Sequence, residues 1–500
     1  MVSMPAPSQS TPPRLVSSGS VSSFGRTGKR SYWKAACVVL ALLAMGFSVT
    51  APIYNIVARF SRTNGGTPSP LAQGLDGFLY GTTEAGGPHD GGTLFKIGPG
   101  GLTVLYNFCS ATNCSDGVAP VGRLVLASDG NFYGTTSIGG PQYGGTIFKL
   151  TPSGQLTTIA TLCTETDCPN GQIPMSPLIQ ASDSNLYGTT SLGGSNGGGG
   201  TVFRVSPQGI VTTVYSFCGI FSCSGGNTPA GPVVQGPDGN FYGTTAAGGS
   251  AAWGTAFKLT PGGVLTMLHD FCVTTCTDGA EPSSGLILGS DGNLYGLTLA
   301  GGSASGYAGG GTVFKIAPDG TLTTIYTFCN PDCSAGKGPA GNLIEGTDHN
   351  LYGTTATGGT ANLGTIFSID FSGTLTTLHT FTSKTTGENP SGSMMQATTG
   401  TFLGTAASGI NGLVYSLSAG LGPFVETVQP SGKAGQIINI LGQGFTGTTG
   451  VSFNGTAASY VVVSDTYLKA KVPTGATSGL VTVTTPSATL TSNRGFVIRH

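Results

Sequence analysis

At 500 residues the chain is too long for a single hydrophobic core and implies two or three domains. Charged residues make up 8% of it and the formal net charge is −1, which excludes the broad basic surface that nucleic acid binding needs. Glycine stands out at 85 residues with no period of three, so it marks many tight turns between short strands rather than a collagen-like chain.

The first 34 residues are rich in Ser and Pro and carry Arg14, Arg26, Lys29, Arg30 and Lys34 with no acidic residue. A 17-residue uncharged, largely apolar segment, residues 35–51, follows. A positive stretch ahead of an apolar one is the layout of an export signal. As a helix at about 1.5 Å per residue the segment would span about 25 Å, short of a ~30 Å bilayer core. Val49, Thr50 and Ala51 offer the small residues of a cleavage site, but Pro52 follows. A cleaved signal and a retained N-terminal tether through residues 35–51 therefore both stay open. Either way the chain reads as exported, to the periplasm, the cell surface or the medium.

After residue 52 one pattern recurs. Tyr-Gly-Thr-Thr or a close variant begins at Tyr80, Tyr133, Tyr187, Tyr242, Tyr295 and Tyr352, and a degenerate seventh copy runs Leu403-Gly404-Thr405-Ala406. The spacings are 53, 54, 55, 53, 57 and 51 residues. An Asp-Gly turn such as Asp129-Gly130-Asn131 precedes each of the best copies. A glycine-rich loop and a Gly-Thr-x-Phe-Lys strand follow, then a Pro-x-Gly turn and a Thr-rich strand such as residues 321–328. Each unit thus reads as two hairpins, or four strands, in about 50 residues, which is the size of one propeller blade.

The seventh unit has its first three strands but no Thr-rich fourth. An orphan candidate, residues 53–60, sits ahead of the first unit. The count balances when the N-terminal strand completes the last blade, which also hides the edges of an open array. The expected fold is all-β: a seven-bladed β-propeller over residues 53–418, then a linker at 419–423 and a second domain at 424–500.

Ten of the eleven cysteines fall into five close pairs, and Cys37 lies in the apolar segment. Cys109 pairs with Cys114, Cys163 with Cys168, Cys218 with Cys223, Cys272 with Cys276 and Cys329 with Cys333, all in the blade-to-blade connections. Paired spacing with none left over after the export segment points to local disulfides in an oxidising compartment. Zinc would need two more ligands per pair, and no regular histidines accompany them.

These linked motifs (Asp-Gly-Asn-Phe-Tyr-Gly-Thr-Thr, Gly-Thr-x-Phe-Lys-Leu and Pro-x-Gly-x-Leu-Thr-Thr) resemble the GloVer tandem repeat of bacterial surface proteins. The resemblance implies a surface protein with no activity attached. Residues 424–500 change pattern, with Pro430-Ser431-Gly432, residues 440–445, Val451-Ser452-Phe453-Asn454-Gly455 and residues 479–484. That segment resembles an IPT/TIG domain, which implies an immunoglobulin-like sandwich that binds, spaces or packs against neighbours.

Candidate chemistry is thin. Asp76, Asp129, Asp183, Asp238, Asp291 and Asp348 occupy one hairpin turn in six units, where Asp serves the turn's own backbone. A catalytic carboxylate pair would instead need two different environments. Calcium would need a ladder of oxygen ligands that the turn lacks. Lys96, Lys149, Arg204, Lys258 and Lys315 recur at one strand position, as a basic ring for an anionic glycan or as partners of the turn aspartates; the second reading is preferred. His89, His269, His349, His379 and His500 show no ligand spacing. The repeated Tyr and Phe are expected between blades.

No cofactor, metal or catalytic residue is expected. The expected role is an exported, non-catalytic scaffold that binds a polysaccharide or a surface protein. The alternative is an extracellular carbohydrate-active hydrolase or lyase of propeller type.

Overall fold

A computed structural model describes residues 51–219, 223–303, 308–390, 392–409 and 411–499. All of the expected export segment except Ala51 lies outside the described residues, as do Cys37 and His500. Among the described residues no helix is long and apolar enough to cross a membrane.

Each repeat becomes an antiparallel sheet because its apolar runs are short, β-branched and separated by Asp-Gly and Pro-x-Gly turns. In the second repeat the strands are Val118–Leu126, Phe132–Ile138, Thr146–Leu150 and Leu156–Thr161, hydrogen-bonded in that order. The two central strands are buried on both faces, whereas the outermost is half-buried. That profile belongs to a sheet packed between two others. Among the described residues, seven such sheets follow one another along the chain.

Aromatic rings join successive sheets. Tyr80 meets Phe132 at 4.5 Å between centroids, Tyr187 meets Phe241 at 4.3 Å and Tyr352 stacks on Phe402 at 4.0 Å. Phe95 of the first sheet shares a buried cluster with Met395, Leu403 and Val414 of the seventh, so the sheets close into a propeller. The seventh sheet takes its outer strand from the start of the chain. Ile53–Arg59 pairs antiparallel with Asn411–Ser418, in a register that sets Ile53 opposite Ser418 and Arg59 opposite Leu413.

In the first, third, fourth and fifth blades the innermost strand differs from the single run that the repeat suggests. In the third blade it breaks into Gln172–Pro174 and Ile179–Gln180. The residue before each repeated proline is left-handed, with φ of 56° at Ile173, 52° at Ala119 and 53° at Thr228. The next residues step toward the axis and crowd the neighbouring blade. A Cβ on Gly122 would stand 2.7 Å from the nitrogen of Pro177, so only glycine fits there.

Two faces result from this connectivity. The Asp-Gly and Pro-x-Gly turns lie at one end of every blade. The glycine-rich loops and the blade-to-blade connections with the cysteines lie at the other. They are called the turn face and the disulfide face below.

Residues 424–499 form a sandwich. One sheet is Glu426–Thr427, Ile437–Leu441, Tyr467–Lys471 and Tyr460–Ser464; the other is Thr456–Ala457, Gly450–Phe453, Val481–Thr484 and Thr489–Thr491. Ile438, Ile440, Phe445, Phe453, Leu468, Val481 and Phe496 fill the space between them.

Candidate functional site

The turn aspartates are fully occupied by their own turns. Asp129 Oδ1 accepts the backbone N–H of Asn131 at 3.1 Å, and its Oδ2 accepts the Asn131 amide and the Tyr133 hydroxyl, each at 2.8 Å. Asp183, Asp238, Asp291 and Asp348 repeat this arrangement, and Asp76 holds Tyr80 at 2.8 Å. Burial works against ionisation of Asp129, but the Asn131 amide and backbone, the Tyr133 hydroxyl and Lys149 outweigh it and hold the carboxyl below the usual range. The tyrosines move the other way: burial, with the bond to Asp183, pushes Tyr187 up to about 12. These are anchored structural groups rather than acids or bases near neutrality.

The recurring lysines serve the same turns. Lys149 Nζ stands 3.2 Å from Asp129 and Lys258 Nζ 2.9 Å from Asp238, while Lys96 lies over the Phe78 ring at 5.1 Å.

The seventh turn has lost the motif, reading Thr398-Thr399-Gly400-Thr401, and there the C-terminal module docks. The Phe424 N–H donates to the Thr398 carbonyl at 3.0 Å, and the Gln443 amide donates to Thr398 Oγ1 at 2.8 Å. The Asn439 amide reaches the Ser128 carbonyl at 3.0 Å, Thr466 Oγ1 reaches that of Leu75 at 3.1 Å, and Arg499 reaches that of Ser182. The module thus covers the turn face over blades seven, one, two and three.

The disulfide face is built differently. Each cysteine is joined to the partner that its spacing suggests. Cys109 is bonded to Cys114, Cys163 to Cys168 and Cys218 to Cys223, each across five positions. Cys272 is bonded to Cys276 and Cys329 to Cys333, each across four. The paired Cα atoms lie 4.0 to 6.1 Å apart. Buried threonines clasp the loop bases, as in Thr83 with Thr93 at 2.9 Å and Thr136 with Thr146 at 2.8 Å. His269 holds Asp278 at 2.8 Å, in the place where the first blade uses Tyr106 and Asp116, also at 2.8 Å. His379 stacks on Tyr54. Both histidines are thus framework groups.

On this face blades two and three expose large apolar side chains: Ile138 at 43%, Tyr143 at 64%, Met175 at 55% and Leu192 at 44%. Ile138 and Leu192 end their second strands, Tyr143 tips a glycine-rich loop and Met175 directly follows the inner-strand piece Gln172–Pro174. Single exposed apolar residues are ordinary, but four on adjacent blades between stapled loops form a surface that a ligand could cover.

Near the axis, Glu345 is the buried carboxylate of an innermost strand. It accepts the Ser290 N–H at 2.9 Å and meets His349 Nδ1 at 3.0 Å. Ser290 Oγ approaches the same Nδ1 at 3.2 Å. Serine, histidine and glutamate therefore converge on one ring nitrogen, whereas a proton relay uses both. No group of three or more His, Cys, Asp and Glu among the described residues could hold a metal ion.

Sequence reasoning missed the inner-strand glutamines Gln73, Gln180, Gln235 and Gln396, which bridge neighbouring blades. Their signal was available, since each follows a buried Leu, Val or Met by two residues.

The fold and its two faces define a β-propeller carrying an immunoglobulin-like module. Family models match both parts: the Gloeobacter/Verrucomicrobia repeat over residues 45–230 and 220–417, and the IPT/TIG domain over 423–497. The chain belongs to the Gloeobacter/Verrucomicrobia repeat family. Comparison with curated proteins gives no match. Among solved structures it is similar to virginiamycin B lyase from Staphylococcus aureus, with TM-score 0.50 and 14% identity over 73% of this chain and 99% of that one. A fungal alcohol oxidase of the AA5 family with copper matches at TM-score 0.44 and 11% identity, over 89% of this chain and 100% of that one. At such identities the likeness to the lyase concerns the fold, and function has to be argued from the site.

Proposed function

We propose that the protein is an exported, non-catalytic scaffold that binds a glycan or protein ligand on its disulfide face. The observation that carries this reading is the division of labour between the faces. The protein's own C-terminal module covers much of the turn face, while Ile138, Tyr143, Met175 and Leu192 stand exposed on the opposite one. Five stapled loops would keep that surface rigid, which lowers the ordering cost of binding. The disulfides also suit an extracellular or periplasmic location.

The innermost positions favour binding over hydrolysis. They are Pro70, Arg123, Pro177, Pro232, Gly285, Asn342 and Ser393, with no carboxylate among them, and Glu345 is committed to Ser290 and His349. A glycoside hydrolase would need a carboxylate pair facing substrate.

The test is a binding screen against polysaccharides and surface proteins, with reaction products followed in the same wells. Saturable binding without product is expected, weakened about tenfold or more by Tyr143→Ala with Met175→Ser. Binding untouched by those changes would place the ligand elsewhere. Turnover by pure protein would replace the scaffold with the hydrolase or lyase alternative.

A further inference from the structure

Equivalent positions in the other blades show what folding alone requires of the disulfide face. Where the second strand ends there, blades one, four, five, six and seven carry Ala85, Ala247, Ala300, Thr357 and Ser408. Blades two and three carry Ile138 and Leu192 instead, both exposed. After the inner-strand proline, Ser69, Ala230, Ser283 and Ala340 are small, whereas blade two has Val121 and blade three the exposed Met175. Large apolar side chains at these positions are thus confined to two adjacent blades.

Tyr143 departs furthest from the repeat. The residue at this loop tip is left-handed in four blades, with φ of 54° at Asp90, 56° at Tyr143, 64° at Ala252 and 56° at Asn362. Asp90 Oδ1 accepts the Gly86 N–H at 3.0 Å, and Asn362 Oδ1 accepts the Gly358 N–H at 2.9 Å, so each ties the tip to the base of its loop. Among the described residues Tyr143 makes no such bond. It sets a bulky side chain in a backbone region that disfavours one, and it holds the ring in solvent. Asparagine would serve the fold better.

The four side chains belong to one surface. The Ile173 N–H donates to the Gly144 carbonyl at 3.0 Å, and Tyr143 and Met175 each lie within two residues of that bond. The Gly145 N–H closes the loop neck on the Gly139 carbonyl at 3.0 Å, next to Ile138, and Leu192 pairs with Gln172 on the adjoining inner strand. The surrounding loops of these blades, residues 108–118, 138–146, 162–172 and 192–200, contain no Lys, Arg or His. Glu165 and Asp167 are exposed there, and neither joins an ion pair among the described residues.

We propose that this patch binds a protein segment whose apolar side chains are flanked by lysine or arginine. The inference rests on the disulfide-face reading above and narrows its ligand to a protein. Ile138, Met175 and Leu192 gain from covering apolar side chains, and methionine adapts to their shape. Sugar hydroxyls pressed against the same aliphatic surface would lose water without finding hydrogen-bond partners. The unbalanced carboxylates of Glu165 and Asp167 attract a basic partner and repel an anionic one.

Selection of random dodecapeptides on phage against the full, oxidised chain tests this, followed by calorimetry of the selected sequences as synthetic peptides. Peptides that combine apolar residues with Lys or Arg are expected, with affinity that falls as salt rises. Tyr143→Asn, Met175→Ser and Leu192→Ala each install a residue that another blade carries at that place, so the triple variant should fold with little change in melting temperature. It should bind the peptides about tenfold or more weakly. Glu165→Lys with Asp167→Lys should weaken them further at low salt. Selected peptides without basic residues, or affinity that survives the triple change, overturn the proposal. A triple variant that melts much earlier overturns it too, since the side chains would then serve packing. A polysaccharide that binds the parent and not the triple variant would leave the scaffold reading standing and sink this one. If neither peptide nor polysaccharide depends on these residues, both fall.

Discussion

Gln235, on the inner strand of the fourth blade, accepts the backbone N–H of Ser182 from the third blade at 2.8 Å, and its amide donates to the carbonyl of Gly239 in its own turn at 3.0 Å. The bridge recurs around the ring: Gln73 takes the N–H of Thr398, Gln180 that of Ser128 and Gln396 that of Thr347. Where the inner strand carries Leu288 instead, the facing turn residue is Pro237, which has no N–H to satisfy. That exception follows the same rule as the bridges. The second blade departs as well: Leu126 takes the place of the glutamine and faces Leu75, whose carbonyl accepts the Thr466 hydroxyl of the C-terminal module.

Gln235→Leu should therefore lose about 1–2 kcal/mol, because the Ser182 N–H is left without its partner. Leu288→Gln alone should gain nothing. Leu288→Gln with Pro237→Ser should build a new bridge, and a double-mutant cycle in chemical denaturation should return favourable coupling of about 0.5 kcal/mol or more. Strictly additive effects would show that the bridge does not hold the blades.

The sixth blade solves the same problem with a carboxylate. Glu345 accepts the Ser290 N–H but cannot donate to its own turn, and His349 stands where most turns have glycine. Glu345→Gln with His349→Gly recreates the bridge of the other blades. The pair should be about 0.5–3 kcal/mol more stable than the sum of the two single changes predicts, measured by the same cycle.

Acid should weaken the propeller through its turns. In Asp129, Asp238 and Asp291 burial opposes ionisation, but the Asn and Tyr partners outweigh it, with lysines assisting, so the folded carboxyls lie below their usual range. A depressed folded value adds stability that is present above the unfolded value, about pH 4, and is lost as pH falls toward the folded one. Denaturation midpoints should drop below about pH 4, and the drop should be shallower in Asp129→Asn. An unchanged slope would remove these turns as the cause.

His379 sets a second, milder pH response. It stacks on Tyr54 at 4.0 Å, and burial lowers its pKa, so the fold prefers the neutral ring. The stabilisation is present above the unfolded value of about 6.5 and is lost as pH falls through the folded value. His379→Phe should remove this step from a stability-against-pH curve while leaving the acid limb from the aspartates.

Each short disulfide loop should contribute about 2 kcal/mol in the chain-entropy account. Replacing Cys329 and Cys333 together by serine should therefore lower unfolding free energy by about that amount, and reductant should produce no further change at that loop. A loss near zero would mean that the loop is held by its hydrogen bonds alone.

The repeat, the four-strand unit and the role of the turn aspartates were legible because they rest on local chemistry. Asp-Gly-Asn followed by Tyr specifies a turn and the bonds inside it, wherever the unit sits in space. The short disulfides, such as Cys109 with Cys114 and Cys272 with Cys276, were legible for the same reason, since each closes a loop of a few residues. The orphan strand at residues 53–60 was legible too, since an unmatched strand at each end has one way to pair. Relations between blades lay beyond a linear reading. The inner-strand glutamines and the convergence of Ser290, Glu345 and His349 depend on which residues about 50 positions apart are brought side by side. Docking of the C-terminal module on the degenerate seventh turn is of the same kind: Thr398 carries no marker of contact with Gln443 until the sandwich is laid against it. Local sequence determined each blade, because hydrogen bonds within a hairpin span few residues; tertiary structure alone decided the faces, because burial and charge there are shared between distant segments.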